Sequence, residues 1–397
     1  MSGLRPTFHV IREMWAQPPW GLGCPLGRSA ERFHSPHAIQ VSPKLAIVMP
    51  ALKNLLLLTA VGLLSGLVLS AQPTPPATAA ARRAKFLKII ERPLVPLVPE
   101  VSPRPDDEGL SVQHLAFAVE SGDRATALIV QSRGQTGRRP VVIYLHGTGS
   151  SKDRSLARLK ELAKRGFVAV GLDGRFHGER IPASATGDPY SDAIVAAFRT
   201  GQGHPFLYDT VWDVMRLVDY LQTRDDVDPA RIGLTGMSKG GMETYLTVAV
   251  EPRIAAAAAK HGVQSFRWGL DHGAWDSRAW SIRTAVEGAA AAAGQQPGAG
   301  FLRTFYDKIA PGLYGEFDGP AMLPLISPRP FLIISGDSDP RTPQAGVREA
   351  AHAAETAYRS DNAADRFEHR MLPDTGHEET AAGNQAAIEW FVRWLKP

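Results

Sequence analysis

Cysteine is almost absent from this sequence: Cys24 is the single cysteine among 397 residues. One cysteine cannot form a disulfide within the chain, and a cysteine-based zinc site needs several thiolates. Cys24 also precedes a segment that we expect to be removed on export. The mature chain is therefore expected to lack cysteine, which excludes a cysteine nucleophile.

A strong charge imbalance is also lacking. Lys and Arg number 44 against 40 Asp and Glu, which gives a formal net charge of +4, and no basic block is dense enough to indicate nucleic-acid binding. Hydrophobic residues make up 44% of the chain and charged residues 21%. These proportions are typical of a soluble globular protein and argue against a disordered chain or a protein with several membrane spans.

The N-terminal region differs from the rest of the chain. Residues 1–48 show no clear hydrophobic period, whereas residues 49–71 combine a short basic start at Met49–Lys53, an apolar run and small residues before Gln72. This layout is that of a secretory signal peptide, and the run is short for a membrane span, which needs roughly 20 apolar residues. We predict a start near Met49, a non-native or disordered extension over 1–48, and export to the periplasm or cell exterior. An uncleaved signal anchor is the alternative.

Residues 72–108 are rich in Pro and Ala, which predicts a stiff, extended linker ahead of a catalytic domain over 109–397. Within that domain, strand-like and helix-like segments alternate. Val141–Leu145 is a continuous apolar run that fits a strand buried on both faces, and residues 209–221 carry apolar side chains at helical spacing. The predicted fold class is α/β, with a mostly parallel sheet and helices on both faces.

One segment, residues 262–324, interrupts this alternation between two core strands. It holds Trp268, Trp275 and Trp280 together with an Ala-rich helical stretch. A solvated loop has little reason to carry so many tryptophans, so the segment is interpreted as a lid or cap over the sheet. The alternative is a surface excursion with no role.

The strongest catalytic signal is Gly236-Met237-Ser238-Lys239-Gly240, which follows a predicted strand and precedes a predicted helix. This is the pattern of a nucleophile elbow, in which a serine sits on a sharp turn and the residues two before and two after it must be small. The N-terminus of the following helix also favours negative charge beside the serine. Ser238 is therefore the candidate nucleophile.

A second glycine-rich turn, residues 146–150, follows the buried strand at Val141–Leu145. Such a turn presents backbone N–H groups to a nucleophile and supplies half of an oxyanion hole. We predict that the N–H groups of Thr148 and Lys239 are the two donors. His146 is interpreted as structural.

The candidate acid and base follow later strands. Asp337 and Asp339 both lie after the strand that ends near Ile334, and Asp339 is favoured as the acid, with Asp337 bracing the turn. His377 lies beyond the last strand, and an imidazole titrates near neutral pH, as a general base must. The order Ser, Asp, His is that of α/β-hydrolases and differs from the orders in chymotrypsin and subtilisin.

On these motifs, residues 110–397 resemble the α/β-hydrolase superfamily, in the branch of dienelactone hydrolases, acetyl xylan esterases and prolyl-oligopeptidase-like enzymes. The turn at residues 173–178 resembles that branch's Asp-x-Arg-x-x-Gly turn, and residues 226–233 resemble the lead-in to its elbow. Two features depart from relatives: Lys239 stands where many acetyl esterases carry Gln, and Ser238 stands where dienelactone hydrolases carry Cys. An N-terminal propeller is not indicated.

The motifs and the resemblance together imply a serine esterase that cleaves carboxylic esters of small molecules through an acyl-enzyme. No cofactor and no metal are expected, because the other histidines lack ligand spacing; these are His177, His204, His261 and His272. No nucleic acid and no stable membrane span of the mature form are expected, and the oligomeric state is not indicated. A serine exopeptidase or amidase is the alternative enzyme, and a non-catalytic binding scaffold is the alternative outside enzymes.

Overall fold

The computed structural model describes residues 78–107 and 109–396, and these residues belong to one compact unit. The predicted extension over 1–48 and the predicted signal peptide over 49–71 lie outside the described residues. No helix in the described part of the chain is both long and apolar enough to cross a membrane.

A nine-stranded sheet forms the centre of the fold, with the strand order β1-β2-β3-β5-β4-β6-β7-β8-β9. Strands β4 to β9 run parallel to one another, whereas the pairings of β1 with β2, β2 with β3 and β3 with β5 are antiparallel. The strands are β1 (Glu100–Asp107), β2 (Leu110–Glu120), β3 (Asp123–Ser132), β4 (Arg139–Leu145), β5 (Val168–Leu172), β6 (Val227–Met237), β7 (Ile254–Lys260), β8 (Phe331–Gly336) and β9 (Phe367–Leu372).

Helices cover both faces of this sheet, and two separate apolar clusters fill the layers between helices and strands. The central strands are buried on both sides: every residue of β4, β5 and β8 is buried. The helices outside the β7–β8 connection are α1 (Ala79–Ile90), α2 (Leu156–Lys164), α3 (Pro189–Thr200), α4 (Tyr208–Gln222), α5 (Lys239–Val250), α11 (Gln344–Ser360) and α12 (Ala381–Leu395). The predicted α/β class with a mostly parallel sheet is confirmed.

The interruption over 262–324 is a helical insertion between β7 and β8. Its helices are α6 (Phe266–Asp271), α7 (Asp276–Ala279), α8 (Arg283–Ala292), α9 (Ala299–Ile309) and α10 (Gly319–Met322). Phe301 and Phe305 of α9 are buried against Phe198 of α3. The insertion therefore packs on the body of the domain.

The segment over 72–108 differs from the extended linker that was expected. Residues 79–90 form α1, capped by Thr78, whose hydroxyl accepts a hydrogen bond from the Ala81 N–H at 3.2 Å. Phe86 and Ile90 lie four residues apart on one face and are fully buried, and the Phe86 ring lies 4.7 Å from that of Tyr208. An apolar pair at helical spacing docks this segment onto the domain.

Candidate active site

Ser238 lies at the turn between β6 and α5. Its backbone is in the left-handed region, with φ of 56° and ψ of −113°, a conformation that costs on the order of 1–3 kcal/mol for a residue with a side chain. The Ser238 N–H donates to the Lys260 carbonyl at 2.9 Å, which holds the turn against β7. The sharp turn leaves Ser238 at the head of α5, with its hydroxyl directed toward the loop that follows β9.

The glycines of the motif are required by close backbone contacts. A Cβ on Gly236 would lie 2.4 Å from the Gly240 carbonyl oxygen, and a Cβ on Gly240 would lie 2.1 Å from that of Leu145. A Cβ on Gly241 would lie 2.5 Å from the Lys260 carbonyl oxygen. Because each obstacle is backbone, no side-chain rotation relieves it, and the turn needs glycine at all three positions.

The three candidate catalytic side chains are brought together by loops at the carboxyl ends of β6, β8 and β9. His377 Nε2 lies 2.7 Å from Ser238 Oγ, and His377 Nδ1 lies 2.8 Å from Asp339 Oδ2. Because an ionised carboxylate only accepts hydrogen bonds, Nδ1 of His377 carries the proton and Nε2 is left to accept the serine proton. Ser238, His377 and Asp339 thus form one continuous hydrogen-bonded chain.

The charge of Asp339 is held by several donors. Burial alone would raise its pKa, but hydrogen bonds from His261, His377 and Thr342 hold the pKa far below the ordinary value of 3.8. The backbone N–H of Arg341 also donates to Oδ1 at 2.8 Å. Asp339 is therefore ionised at neutral pH, and it can stabilise a positive charge on His377.

His146 supports the glycine-rich turn after β4. Its Nδ1 lies 2.8 Å from the Gly147 carbonyl oxygen, and its Nε2 accepts the Gly174 N–H at 3.0 Å. Burial and the charge of Lys239 lower the pKa of His146 well below 6.5, so the ring is neutral with the proton on Nδ1. A Cβ on Gly147 would lie 3.6 Å from Ser238 Cβ, which places the turn directly beside the serine.

The turn after β5 contains the Asp-x-Arg-x-x-Gly residues. A Cβ on Gly178 would lie 2.2 Å from Asp173 Oδ1, and Gly178 has φ of 55°, so this position requires glycine. Asp173 pairs with the buried ammonium of Lys152 at 2.8 Å, and Arg175 forms a two-pronged contact with Asp213 at 2.9 and 3.1 Å. The motif fixes the loops on both sides of the site and supplies no reacting group.

Lys239, the residue after the serine, directs its side chain away from the candidate catalytic chain. Its ammonium pairs with Glu243 one turn later on α5 at 2.7 Å, and both side chains are buried. Lys239 is the first residue of α5, so its backbone N–H lies at the helix N-terminus beside Ser238. The Lys239 side chain is thus held in a buried ion pair within α5.

Three residues of the site were missed by sequence reasoning. His261 follows β7, and its Nδ1 lies 3.0 Å from Asp339 Oδ2. Arg278 of α7 donates to the His261 carbonyl at 3.1 Å. Glu379, which lies two residues after His377, pairs with Lys260. The only signal for His261 was its position at the carboxyl end of a parallel strand, where sites of such sheets collect. Arg278 and Glu379 act across long sequence separations that local patterns do not show.

The remaining candidates lie apart from Ser238. Asp337 braces its turn, accepting the Thr375 N–H at 3.2 Å and the Ser338 hydroxyl at 2.9 Å. His204 and His272 contact backbone carbonyls within the helical layers. Among the described residues, His261, Asp339 and His377 place ligand-type atoms within 4.8 Å of one another, which is the spacing of a possible metal site. These same atoms already form the hydrogen bonds given above.

Comparison with known proteins finds hydrolases and esterases. The acetyl xylan esterase (AXE1) family model matches residues 104–265. "Putative hydrolase YtaP" of Bacillus subtilis (strain 168) is 26% identical over 304 residues, which cover 72% of this chain and 88% of that protein.

Solved structures give the same fold. The acetyl xylan esterase from Paenibacillus sp. R4 is 20% identical with a TM-score of 0.55, over 80% of this chain and 92% of that one. Acetyl xylan esterase 1 from Thermoanaerobacterium sp. JW/SL YS485 is 18% identical with a TM-score of 0.59, over 80% of this chain and 94% of that one.

The parallel sheet and the serine turn at the end of β6 define an α/β-hydrolase. The chain is similar to the acetyl xylan esterases of that superfamily, and it is a carboxylic ester hydrolase. Its substrate is accordingly a small-molecule ester.

Proposed function

We propose that the protein hydrolyses esters of short-chain carboxylic acids, with Ser238 as nucleophile, His377 as general base and Asp339 as the acid that orients the base. The observation that carries the proposal is the chain of contacts from Ser238 Oγ to His377 Nε2 at 2.7 Å and from His377 Nδ1 to Asp339 at 2.8 Å. Both distances allow direct proton transfer without rearrangement of the backbone.

In the first step, Ser238 Oγ attacks the ester carbonyl carbon while its proton moves to His377 Nε2. The tetrahedral intermediate collapses, the C–O bond to the alcohol breaks, and the alcohol leaves with the proton from His377. Water then attacks the acyl-serine by the same route, giving the carboxylic acid and free Ser238. Asp339 stabilises the imidazolium formed in each half-reaction and stays ionised throughout.

We assign the oxyanion hole to the backbone N–H groups of Thr148 and Lys239. Two observations support the assignment: a Cβ added to Gly147, in the turn that carries Thr148, would lie 3.6 Å from Ser238 Cβ, and Lys239 begins a helix whose dipole favours negative charge. His146 fixes the turn by holding the Gly147 carbonyl, so that the adjacent peptide N–H is oriented before substrate arrives.

The proposed acyl group is acetate. Two structural relatives are acetyl xylan esterases by name, and the family match covers strands β2 to β7, the serine turn and the turn after β4. The alcohol is left open between a sugar and another small alcohol, because the family match ends at residue 265 and so leaves out nearly all of the insertion over 262–324. The proposal therefore specifies the acyl side alone.

The decisive experiment is hydrolysis of p-nitrophenyl acetate, butyrate and octanoate by the native chain and by Ser238→Ala. We expect the highest kcat/KM with acetate and a loss of about 10⁴-fold or more in the variant, since the nucleophile is removed. Labelling of Ser238 by a fluorophosphonate provides an independent test. Labelling without turnover of any ester would reject the short-chain ester assignment, and absence of both would reject Ser238 as nucleophile.

We further propose that the chain is exported through the segment 49–71. Its support is the order of basic start, apolar run and small residues ahead of Gln72. N-terminal sequencing of the protein recovered outside the cytoplasm should give a mature start close to Gln72. A start at Met1 or Met49 in the extracytoplasmic fraction would contradict cleavage and favour an anchor.

A further inference from the structure

His261 is a second imidazole on the carboxylate that orients the proposed base. Its Nδ1 lies 3.0 Å from Asp339 Oδ2, the same oxygen that accepts from His377 Nδ1 at 2.8 Å. The rings of His261 and His377 stand edge to face, with centroids 5.8 Å apart. Since a carboxylate only accepts hydrogen bonds, Nδ1 of His261 carries a proton, as Nδ1 of His377 does.

The surroundings of His261 tie it to three parts of the site. Its backbone N–H donates to the Ile334 carbonyl of β8 at 2.8 Å, and its own carbonyl accepts from Arg278 of the insertion at 3.1 Å. The residue before it, Lys260, accepts the Ser238 N–H at 2.9 Å. His261 is 2% exposed and has a left-handed φ of 50°, so its ring is held in place by its surroundings.

We propose that His261 is a positioning residue that sets both the orientation and the basicity of Asp339 toward His377. The inference rests on the proposed function of Ser238, His377 and Asp339. The N–H of His261 holds Oδ2 so that the carboxylate presents both oxygens to His377 Nδ1, at 2.8 and 3.0 Å. It also draws negative charge from the carboxylate, which limits how strongly Asp339 stabilises the imidazolium.

Removal of this donor has two expected consequences. The carboxylate gains freedom to turn, so His377 is less well aimed at Ser238 and kcat falls. The carboxylate also becomes a stronger acceptor, so the pKa of His377 rises and the acid limb of kcat/KM moves to higher pH. The other charged groups that face His377 are Asp339, Arg278 and Arg341, and they are unchanged by the substitution.

The test compares His261→Asn with His261→Leu. The Asn amide nitrogen occupies nearly the position of His Nδ1 and retains the donor, whereas Leu has the shape of Asn without it. We expect His261→Leu to lower kcat by about tenfold with little change in KM and to shift the acid limb of kcat/KM to higher pH. We expect His261→Asn to keep most of the native kcat and nearly the native midpoint pH. Leu tolerates a left-handed backbone less well than Asn, so thermal unfolding of each variant is measured alongside.

The midpoint pH of the acid limb in the kcat/KM profile distinguishes a positioning role from a structural one. A smaller folded fraction lowers the height of the profile but leaves its midpoint unchanged. An unshifted midpoint in His261→Leu, or equal losses in both variants, would overturn the proposal.

The rate of fluorophosphonate labelling of Ser238 is measured over the same pH range, since it reports His377 without an ester. If the native chain is labelled but cleaves no ester, the ester assignment fails while the labelling profile still decides the role of His261. If Ser238 is not labelled at all, both proposals fall.

Discussion

The ammonium of Lys260 pairs with the carboxylate of Glu379, and this contact joins the end of β7 to the loop that carries His377. Lys260 is buried and also donates to Asn384 Oδ1 of α12 at 2.6 Å, and Glu379 accepts the Tyr144 hydroxyl at 2.8 Å. The loop after β9 is thus fastened two residues beyond the proposed base. The contact makes the position of His377 depend on a charge pair beneath it.

We predict that Glu379→Gln destabilises the fold by about 3 kcal/mol, because it leaves the buried Lys260 without its counter-charge. Burial would raise the pKa of Glu379, but the charge of Lys260 holds it below the ordinary 4.5. The ionised pair therefore stabilises the native state above pH 4.5, and this contribution is lost as the pH falls toward the folded pKa. Urea unfolding of both proteins as a function of pH measures the difference.

Glu378→Gln is the matched control, because Glu378 is the exposed neighbour of Glu379. It should change the unfolding free energy by no more than about 0.5 kcal/mol. Equal losses of unfolding free energy in the two variants would contradict the role of the pair. So would a stability difference between the native protein and Glu379→Gln that grows as the pH falls.

A second prediction concerns the pH dependence of turnover. Burial and the charge of Arg278 lower the pKa of His377 below its ordinary 6.5, although the hydrogen bond to Asp339 opposes both effects. The base must be neutral to accept the Ser238 proton, so kcat/KM rises with pH through that lowered pKa and is level at neutral pH. Initial rates with an acetate ester from acidic to neutral pH locate the midpoint. A midpoint above 6.5 would show that the carboxylate outweighs burial.

The elbow offers a third prediction. Gly240→Ala should abolish activity and destabilise the fold, since its Cβ would lie 2.1 Å from the Leu145 carbonyl oxygen and only a backbone shift relieves that contact. Gly300→Ala is the matched control: Gly300 lies in α9, and a Cβ there meets nothing within 4 Å. The control should keep activity and gain up to about 1 kcal/mol from helix propensity. Thermal unfolding and ester hydrolysis of both variants test the contrast.

The chain order of the proposed catalytic residues was predictable because each lies at a strand end marked by its own motif. Ser238 carries a glycine pattern enforced by backbone contacts, and His377 and Asp339 follow strands whose apolar runs are plain in the sequence. Geometry of this kind is encoded locally, so a strand-by-strand reading recovers it. The choice of Asp339 over Asp337 agrees with the contacts, since Asp337 faces the Thr375 N–H.

Features that depend on long-range contacts were beyond sequence reasoning. Lys260 and Glu379 are separated by the whole insertion and two strands, and no periodicity links them. The composition predicts a linker at helix α1 because prolines are frequent around it, yet they flank residues 79–90 and none lies within the helix. The apolar pair Phe86 and Ile90 was the available signal, and its partner Tyr208 lies far along the chain.

The last prediction concerns the cap. Asp318 closes the insertion over 262–324 by accepting the N–H groups of Phe266 at 2.8 Å, Arg267 at 3.0 Å and Gly319 at 2.7 Å, together with the Ser265 hydroxyl at 3.1 Å. The two ends of the insertion are thus held by one buried carboxylate. Asp318→Asn keeps one oxygen and turns an NH₂ group toward these donors, so it should destabilise the fold by about 2–4 kcal/mol.

The kcat of Asp318→Asn should also fall, because Arg278 on the same insertion donates to the carbonyl of His261, whose ring contacts Asp339. Glu316→Gln is the matched control, because it removes the ion pair of Glu316 with Lys85, in which both side chains are partly exposed. It should lower the free energy of unfolding by no more than about 1 kcal/mol. The measurements are urea unfolding and kcat with an acetate ester. If Asp318→Asn loses stability while kcat is retained, the cap is needed for the fold alone; if both fall together relative to Glu316→Gln, its closure supports the geometry around Asp339.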